Sequence, residues 1–352
     1  MFLYDNRCYL DDITRVADMA LDWELFHDAT VVVSGASGMV GTFLVDVLMA
    51  RNISHGLNCT IHAVARNLSG LTERFGHYGA HENLRLTVAD VTVDAIDVPS
   101  ADLVIHAASN THPLQYASDP IGTIMTNVQG TRSMLDLAVR AHARRTVFVS
   151  SVEIYGENRP GGAPFTESDM GRIDSNTLRA GYPESKRTGE TLCQAFRAQY
   201  GIDVVIPRLP RVFGPTMRVT DTKAASQFLL RAIAGEDIVL KSDGEQQYSF
   251  CHVSDAVSAI LTCLTAGQSG DAYNVAHPSC DVRLKDLAQI VAEKVGRAVV
   301  FASPDAQEAG GYSQATLAVM DGSKLAGLGW APHYDIREGI NRTVDLLKET
   351  LV

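Results

Sequence analysis

Three glycines spaced three residues apart follow a short apolar run near the start of the chain. The run is Thr30–Ser34 (TVVVS), whose β-branched side chains predict a buried strand. The turn after it is Gly35-Ala-Ser-Gly38-Met-Val-Gly41, and a helical segment begins at Met39. Glycines here allow a tight turn, close approach of a pyrophosphate to the backbone, and close packing of helix on strand. Unpaired N–H groups at the helix N-terminus favour negative charge, so the segment predicts a dinucleotide-binding turn; the alternative is an ordinary glycine-rich turn.

Strand-like and helix-like segments alternate as far as about residue 210. This alternation predicts an α/β fold with a Rossmann-like, doubly wound parallel sheet that has helices on both faces. The predicted strands are Thr30–Ser34, Thr60–Ala65, Leu84–Ala89, Leu103–Ala107, Thr146–Ser150 and Asp203–Arg208. The predicted helices are Met39–Arg51, Ile121–Ala141, Leu178–Tyr200, Ser254–Ala266 and Leu284–Val295.

The regular alternation of strand-like and helix-like segments ends at about residue 210, after which the segments become shorter and richer in turns. We therefore predict three parts. Residues 1–28 form a helical extension, residues 29–210 an NAD(P)-binding Rossmann domain that carries the catalytic residues, and residues 211–352 a smaller C-terminal α/β lobe that binds substrate. Such lobes often exchange segments with the main domain, so interleaving is expected.

The net charge limits the kinds of partner that the chain can have. Its 352 residues include 41 acidic and 30 basic side chains, which gives a net charge of −11. This charge repels nucleic acid and anionic membranes, so neither is expected as a partner. The first residues lack the basic and apolar parts of a signal peptide. The six cysteines are scattered and form no CxxC or Cys/His cluster, which predicts a cytoplasmic protein with reduced thiols and no metal site.

Arg66 stands at the end of the second predicted strand. NAD-preferring proteins usually have Asp or Glu there, bound to the ribose 2′-hydroxyl. A guanidinium suits a 2′-phosphate instead, so Arg66 favours NADP slightly over NAD; the alternative is a solvated surface arginine. Asp90, after the third predicted strand, is a candidate contact for adenine.

Tyr182-Pro-Glu-Ser-Lys186 lies on a predicted helix. Residues four apart share one helix face, so Lys186 is expected to lower the pKa of the Tyr182 phenol and to hold the nicotinamide ribose. A tyrosine with a lowered pKa can exchange a proton with a sugar hydroxyl while hydride moves. The alternative is an exposed helix face, which the glycine turn earlier in the chain makes the weaker reading.

Polar residues also follow the fifth predicted strand, at its carboxyl end. Ligands of open α/β sheets bind beyond the carboxyl ends of the strands. Ser151 is therefore a candidate hydrogen-bond partner of a substrate hydroxyl, and Glu153 a candidate general base. The alternative for Glu153 is a solvated loop carboxylate.

Together these motifs resemble the extended short-chain dehydrogenase/reductases that modify nucleotide sugars, the NAD-dependent epimerase/dehydratase family. Further stretches that resemble it are His106–Ser109, Asn127–Thr131, Arg208–Pro215, Gly244–Phe250 and His252–Asp255. The resemblance implies an NAD(P) cofactor. Its expected binding residues are Gly35, Ser37, Gly38, Met39, Val40, Gly41, Arg66, Asp90, Val91, Ala107, Ala108, Ser109, Asn127, Tyr182 and Lys186.

The resemblance also implies a mechanism. Tyr182, with Lys186 and Ser151, removes the proton from a sugar 4-hydroxyl as the cofactor takes the 4-hydride. The 4-keto sugar acidifies C5, where a base permits dehydration, epimerisation or, for a uronic acid, decarboxylation; the hydride then returns. Glu153 falls where family dehydratases and decarboxylases carry a catalytic Glu, which favours C5 chemistry.

Several residues depart from the family pattern. Val152 replaces the Asp with which many dehydratases protonate the leaving 6-hydroxyl, and Tyr248 replaces an arginine that decarboxylases use near the carboxylate. Arg211 stands where a substrate-binding Asn is common, and its alternative is a surface salt bridge; Arg218 and Lys241 are candidates for holding phosphate. The expected substrate-binding residues are Asn110, Glu153, Arg211, Arg218, Lys241 and Tyr248.

The sequence thus predicts an NAD(P)-dependent enzyme that acts on a nucleoside-diphosphate sugar through a 4-keto intermediate, as an epimerase or dehydratase. The alternatives are a nucleotide-sugar decarboxylase, a 4-keto reductase, an NADPH-consuming reductase of a non-sugar carbonyl, and a non-catalytic NAD(P) sensor. Two predicted helices, Ile121–Ala141 and Leu178–Tyr200, match those of the family's four-helix interface, so a homodimer is expected.

Overall fold

A parallel sheet forms the centre of the larger domain. The structure, a computed structural model, describes residues 3–111, 113–158, 162–303 and 315–351. In these residues the sheet has eight strands in the order β3-β2-β1-β4-β5-β7-β11, with β6 also paired to β7. Its strands are β1 Thr30–Ser34, β2 Thr60–Ala65, β3 Leu84–Val88, β4 Leu103–His106, β5 Arg145–Phe148, β6 Ser150–Ser151, β7 Val204–Leu209 and β11 Ala272–Asn274. The strand order reverses between β1 and β4, which opens a crevice at their carboxyl ends.

Helices cover both faces of this sheet and the smaller lobe. Local signals set several of their ends: the Asp119 carboxylate accepts from the Gly122 N–H at the start of α5, where Pro120 occupies the first turn. Gly201 ends α6 with a φ of +71°, which favours glycine. The helices are α1 Arg7–Ala17, α2 Met39–His55, α3 Leu68–Phe75, α4 Pro113–Ser118, α5 Pro120–Arg140, α6 Gly181–Tyr200, α7 Ala224–Ile233, α8 Val253–Ala266, α9 Leu284–Val295, α10 Ser323–Ala326 and α11 Ile336–Leu351.

The N-terminal extension packs onto the Rossmann domain through α1. Apolar residues at helical spacing, among them Tyr9 and Ile13, are buried against α2 and α8. The Tyr9 hydroxyl donates to the buried Asp46 carboxylate of α2, and the Arg342 guanidinium of α11 donates to Asp12 at 2.7 Å. The extension is thus tied to both the cofactor domain and the last helix.

The smaller lobe has its own sheet and core. Strand β10 Gln247–His252 pairs with β8 Arg211–Phe213, β12 Asp281–Arg283 and β14 Leu317–Ala318, while β9 Ile238–Leu240 pairs with β13 Val299–Phe301. Helices α7, α9 and α11 pack together over this lobe. The late strand β11 joins the sheet of the larger domain beside β7, so segments interleave. The division at residue 210 itself stays a prediction. Residues 1, 2, 112, 159–161, 304–314 and 352 of the predicted parts lie outside the described residues.

In the described part of the chain, no helix combines the length and apolar character that crossing a bilayer requires.

Candidate active site

A cavity of about 620 Å³ lies between the carboxyl ends of the sheet and the smaller lobe. The glycine turn and Tyr182 line one side of it, and Lys241 and Tyr248 line the lobe side. All four predicted catalytic residues, Ser151, Glu153, Tyr182 and Lys186, are therefore brought together at a single crevice. The expected residues that line it are Gly35, Gly38, Met39, Val40, Gly41, Ala107, Ser109, Ser151, Glu153, Tyr182, Lys186, Arg211, Lys241 and Tyr248.

The glycine turn leaves no room for a side chain at Gly35 or at Gly41. Gly35 has a φ of +73°, and a Cβ there would lie 2.7 Å from the Ala107 carbonyl and from Ala108. A Cβ on Gly41 would lie 2.3 Å from the Gly35 carbonyl oxygen. Gly38 is the N-cap of α2, so the first N–H groups of that helix face the crevice. The turn therefore fits the pyrophosphate of a dinucleotide, which the helix dipole would stabilise.

Arginines surround the outer end of the turn. Arg66 is exposed at the end of β2. Burial acts to raise the pKa of Asp90, but the hydrogen bonds that its carboxylate accepts from Thr92, helped by the Arg66 charge, lower it overall. Arg218 was expected to hold substrate phosphate, but the structure places it elsewhere. Its Nη2 donates to the Ser37 carbonyl oxygen at 3.1 Å and to the Ser37 hydroxyl at 3.2 Å. Arg218 therefore lies against the glycine turn, because its segment of the lobe crosses over that turn.

On the predicted nicotinamide side of the crevice, a series of hydrogen bonds links the loop after β4 to helices α5 and α6. The Ser109 hydroxyl donates to Asn127 Oδ1 at 2.7 Å, and Asn127 Nδ2 donates to the Ser185 hydroxyl at 2.9 Å. Val91 packs against Gly130 of α5, where a Cβ would lie 2.8 Å from its side chain. These hydrogen bonds fix the loop after β4. Asn110 lies on this loop and is buried.

Tyr182 is buried at the start of α6, and its hydroxyl is hydrogen-bonded to Ser151 and Ser109. Burial raises the pKa of Tyr182 to about 12, while the two serine hydrogen bonds act to lower it. The expected lowering of the Tyr182 pKa is therefore wrong for this structure, because desolvation of the phenolate is the largest effect. The Ser151 hydrogen bond, the Arg179 charge and the Ser109 hydrogen bond favour the phenolate, while the Glu153 charge opposes it.

Lys186 is also buried, and its ammonium donates to the Val149 carbonyl oxygen at 2.9 Å. It lies 5.0 Å from the centre of the Phe148 ring. Burial lowers the pKa of Lys186 to about 8, and the nearby Glu190 charge opposes that effect. The lysine is thus fixed at the wall of the crevice, one helical turn from Tyr182.

Glu153 is paired with two arginines, so it is not the solvated loop carboxylate that was its alternative. Arg179 Nη2 donates to Glu153 Oε2 at 2.6 Å, and Arg211 Nη2 donates to Oε1 at 3.3 Å. The Arg211 guanidinium lies over the Tyr248 ring, 3.4 Å from its centre. Arg211 therefore brings a positive charge to the face of Tyr248, the residue that stands where the resemblance led us to expect an arginine.

Sequence reasoning missed Arg179, although it lies only three residues before Tyr182, in the 3-10 turn that leads into α6. It also missed Tyr116, whose ring lies 4.9 Å from the Tyr182 ring. Neither residue falls in a recognisable motif, and only spacing relative to Tyr182 pointed to Arg179. The described residues contain no group of His, Cys, Asp and Glu that could hold a metal ion.

Comparison with known proteins decides the family. The model of the NAD-dependent epimerase/dehydratase family matches residues 31–276. The chain belongs to this family. Its relatives include UDP-glucuronic acid decarboxylase 1 of Xenopus tropicalis, 32% identical over 91% of this chain and 72% of that protein. UDP-glucuronic acid decarboxylase 6 of Arabidopsis thaliana is 32% identical over 88% of this chain and 86% of that protein.

Solved structures show the same fold. The dTDP-glucose 4,6-dehydratase of Streptomyces venezuelae, solved with NAD, matches with a TM-score of 0.77 and 24% identity over 91% of this chain and 97% of that one. The UDP-glucuronic acid 4-epimerase of Bacillus cereus, also solved with NAD, matches with a TM-score of 0.77 and 17% identity over 91% and 99%. The predicted family, the Rossmann-like fold class and the assignment as an enzyme are thereby confirmed.

Proposed function

We propose that this enzyme acts on a nucleoside-diphosphate sugar by transient oxidation at C4 followed by chemistry at C5. One observation carries the proposal. The Tyr182 hydroxyl is hydrogen-bonded to Ser151 and faces the same cavity as the glycine turn and Glu153. A proton acceptor, a dinucleotide-binding turn and a second carboxylate at one crevice are the parts that this chemistry needs. A non-catalytic sensor of NAD(P) has no need of them.

The residues of the crevice have separable tasks. When bound, the NAD(P) nicotinamide supplies the hydride acceptor and later the donor. Tyr182 accepts the proton of the sugar 4-hydroxyl, which Ser151 orients. Lys186, at the wall of the crevice, holds positive charge near the Tyr182 phenolate, the form that accepts this proton. The buried setting keeps water away from the C4 oxygen during the oxidised stage.

For the step at C5 we favour decarboxylation of a UDP-linked uronic acid. Once C4 is a ketone, the C5 carboxylate is a β-keto acid: the C5–C6 bond breaks, carbon dioxide leaves, the electron pair enters the C4–C5 enolate, and C5 takes a proton. The decarboxylase relatives support this outcome. Val152 disfavours dehydration because it cannot protonate a leaving hydroxyl, and Arg211 replaces the charge missing at Tyr248. Epimerisation, which the sequence favoured together with dehydration, remains the second candidate because Glu153 can serve as a C5 base.

We further propose a preference for NADP. The support is the position of Arg66 and Arg218 at the outer end of the glycine turn, where a ribose 2′-phosphate would lie. Replacing Arg66 or Arg218 by Ala is expected to weaken NADP binding about 10-fold or more and NAD binding much less. Equal losses for the two cofactors in a fluorescence titration contradict the preference.

A homodimer and a cytosolic location complete the proposal. Helices α5 and α6 pack side by side, and the nearby Ile121 and Leu178 side chains are 73% and 70% exposed. Covering such side chains with a second copy would bury them in a four-helix interface. All six cysteines are free thiols, which fits a reducing compartment.

The decisive experiment uses purified enzyme with its cofactor and a panel of UDP-, dTDP-, GDP- and CDP-sugars. Loss of carbon dioxide from UDP-glucuronic acid, seen by mass and NMR, supports decarboxylation; an unchanged mass with a new stereoisomer supports epimerisation, and loss of water supports dehydration. Tyr182→Phe should abolish turnover while cofactor binding persists. Turnover by that variant, or none by the parent enzyme on the whole panel, contradicts the proposal.

A further inference from the structure

The carboxylate of Glu153 is held between two arginines from different parts of the chain. Arg179 belongs to the 3-10 turn Leu178–Ala180 that leads into α6, and Arg211 to strand β8 of the smaller lobe. Their side chains are 11% and 21% exposed, and that of Glu153 is 19% exposed. Two positive charges therefore meet one negative charge in a largely desolvated part of the cavity.

Aromatic rings fix the position of both guanidinium groups. Arg211 lies 3.4 Å from the centre of the Tyr248 ring, and Arg179 lies 4.7 Å from the centre of the Tyr116 ring. The Tyr248 ring is itself anchored, because its hydroxyl donates to the Ala315 carbonyl oxygen at 3.0 Å. Stacking on aromatic faces holds a guanidinium plane in a fixed orientation. The two cations are therefore preorganised rather than loose surface charges.

Several N–H groups of these arginines have no partner. Nε and Nη1 of Arg179 and Nη1 of Arg211 are buried and make no hydrogen bond. A guanidinium has five N–H donors, and a buried donor left without an acceptor is costly. The excess positive charge and the spare donors both require an acceptor with negative charge. The site is thus built for an anion in addition to Glu153.

We propose that Arg179 and Arg211 together bind the carboxylate of a uronic acid sugar and make the enzyme prefer acidic over neutral nucleotide sugars. This inference rests on the proposed function, since it places the sugar in the crevice beside Tyr182. The position of the two arginines beside Glu153 favours a sugar carboxylate over a diphosphate as their ligand. Both arginines touch Glu153, the candidate base for C5, and the sugar carboxylate is attached to C5.

Arg211 is the specificity-determining residue of the pair. It reaches the cavity from the lobe and rests on Tyr248, so the guanidinium approaches the sugar from β8 rather than from β10. Planar pairing of a guanidinium with a carboxylate through two hydrogen bonds discriminates strongly against a neutral hydroxymethyl group. Neutral sugars would leave the spare donors unsatisfied.

The test measures binding of UDP-glucuronic acid, UDP-glucose and UDP by calorimetry. A Tyr182→Phe background with bound cofactor prevents turnover during the titration. Arg211→Gln is expected to lose about 10- to 100-fold in affinity for UDP-glucuronic acid and less than about 3-fold for UDP-glucose and UDP. Arg211→Lys, which keeps the charge, should recover part of the loss. Arg337→Gln, at an exposed arginine paired with Glu293, is the matched control and should change nothing.

Equal losses for all three ligands, UDP included, overturn the proposal, because they assign Arg211 to the diphosphate. Unchanged affinity for UDP-glucuronic acid in both Arg179→Gln and Arg211→Gln also overturns it. Failure of the proposed function has a different signature: the parent enzyme then neither binds nor converts any UDP-sugar. Melting curves of each variant with and without cofactor identify any loss that comes from unfolding.

Discussion

Asp46 is a carboxylic acid buried where the N-terminal extension meets the cofactor domain. It is 2% exposed on α2, and its two oxygens accept hydrogen bonds from the hydroxyls of Tyr9 at 2.5 Å and Tyr78 at 3.0 Å. Burial raises the pKa of Asp46 from 3.8 to about 7, although both hydrogen bonds and the Arg74 charge act to lower it. We expect Asp46→Asn to change how the stability of the protein depends on pH.

The sign follows from which state holds the proton more tightly. The folded protein holds it more tightly. The favourable contribution of Asp46 to the free energy of unfolding is therefore complete below about pH 3.8 and is lost as the pH rises through about 7. The difference of about 3 between the folded and unfolded pKa values corresponds to about 4 kcal/mol of unfolding free energy. About 2.5 kcal/mol of this is lost between pH 5 and pH 8. Asparagine cannot ionise, so this loss is absent from the variant. Since its amide cannot accept from both phenols as the carboxylate does, about 1 kcal/mol of hydrogen bonding is lost at every pH.

Urea unfolding at pH 5, 6, 7 and 8 measures the difference. The free energy of unfolding of Asp46→Asn, relative to the parent protein, should rise by about 2 to 3 kcal/mol from pH 5 to pH 8. The variant should therefore be the more stable protein at pH 8. Asp136→Asn, at an exposed carboxylate paired with Arg132, is the control and should show no such trend. Parallel stability curves for Asp46→Asn and the parent refute the reasoning.

Three further substitutions test the crevice and the dimer. Gly41→Ala brings a Cβ within 2.3 Å of the Gly35 carbonyl oxygen, so stability should fall by about 1–3 kcal/mol and cofactor affinity with it. Gly76→Ala, where the nearest atom is at 3.6 Å, is the control for both melting and cofactor titration. Lys186→Met should reduce turnover by about 100-fold or more, and retention of a tenth of the activity contradicts its role. Ile121→Lys should convert a dimer to monomers in sedimentation; a parent protein that is already monomeric contradicts the interface.

Much of the larger domain could be predicted because its signals are local. The strands Thr30–Ser34 and Thr60–Ala65 have the predicted bounds. Their apolar, β-branched runs encode structure within a few neighbouring residues. The N-terminal helix was predicted only as part of an extension over residues 1–28. It begins at Arg7, because Asn6 caps it by accepting from the Cys8 and Tyr9 N–H groups, and it ends at Ala17.

The strands of the smaller lobe were not predicted, although its helix Leu284–Val295 has the predicted bounds. Its strands are two to six residues long, from Leu317–Ala318 to Gln247–His252, which is too short for a clear alternation pattern. Their existence depends on partners far away in sequence, as when β10 pairs with β14. The entry of β11 into the larger sheet depends on the same kind of long-range pairing.

The sequence by itself determined the glycine turn, the position of Tyr182 and Lys186 on one helix, and hence the family. These features act over three or four residues, so their geometry follows from the local backbone. Only the tertiary structure decided the electrostatics of the crevice. Glu153 meets Arg179 across 26 residues and Arg211 across 58, and Arg218 reaches Ser37 across 181. Charge interactions and desolvation depend on distances in space, and those distances exist only once the lobe has folded against the sheet.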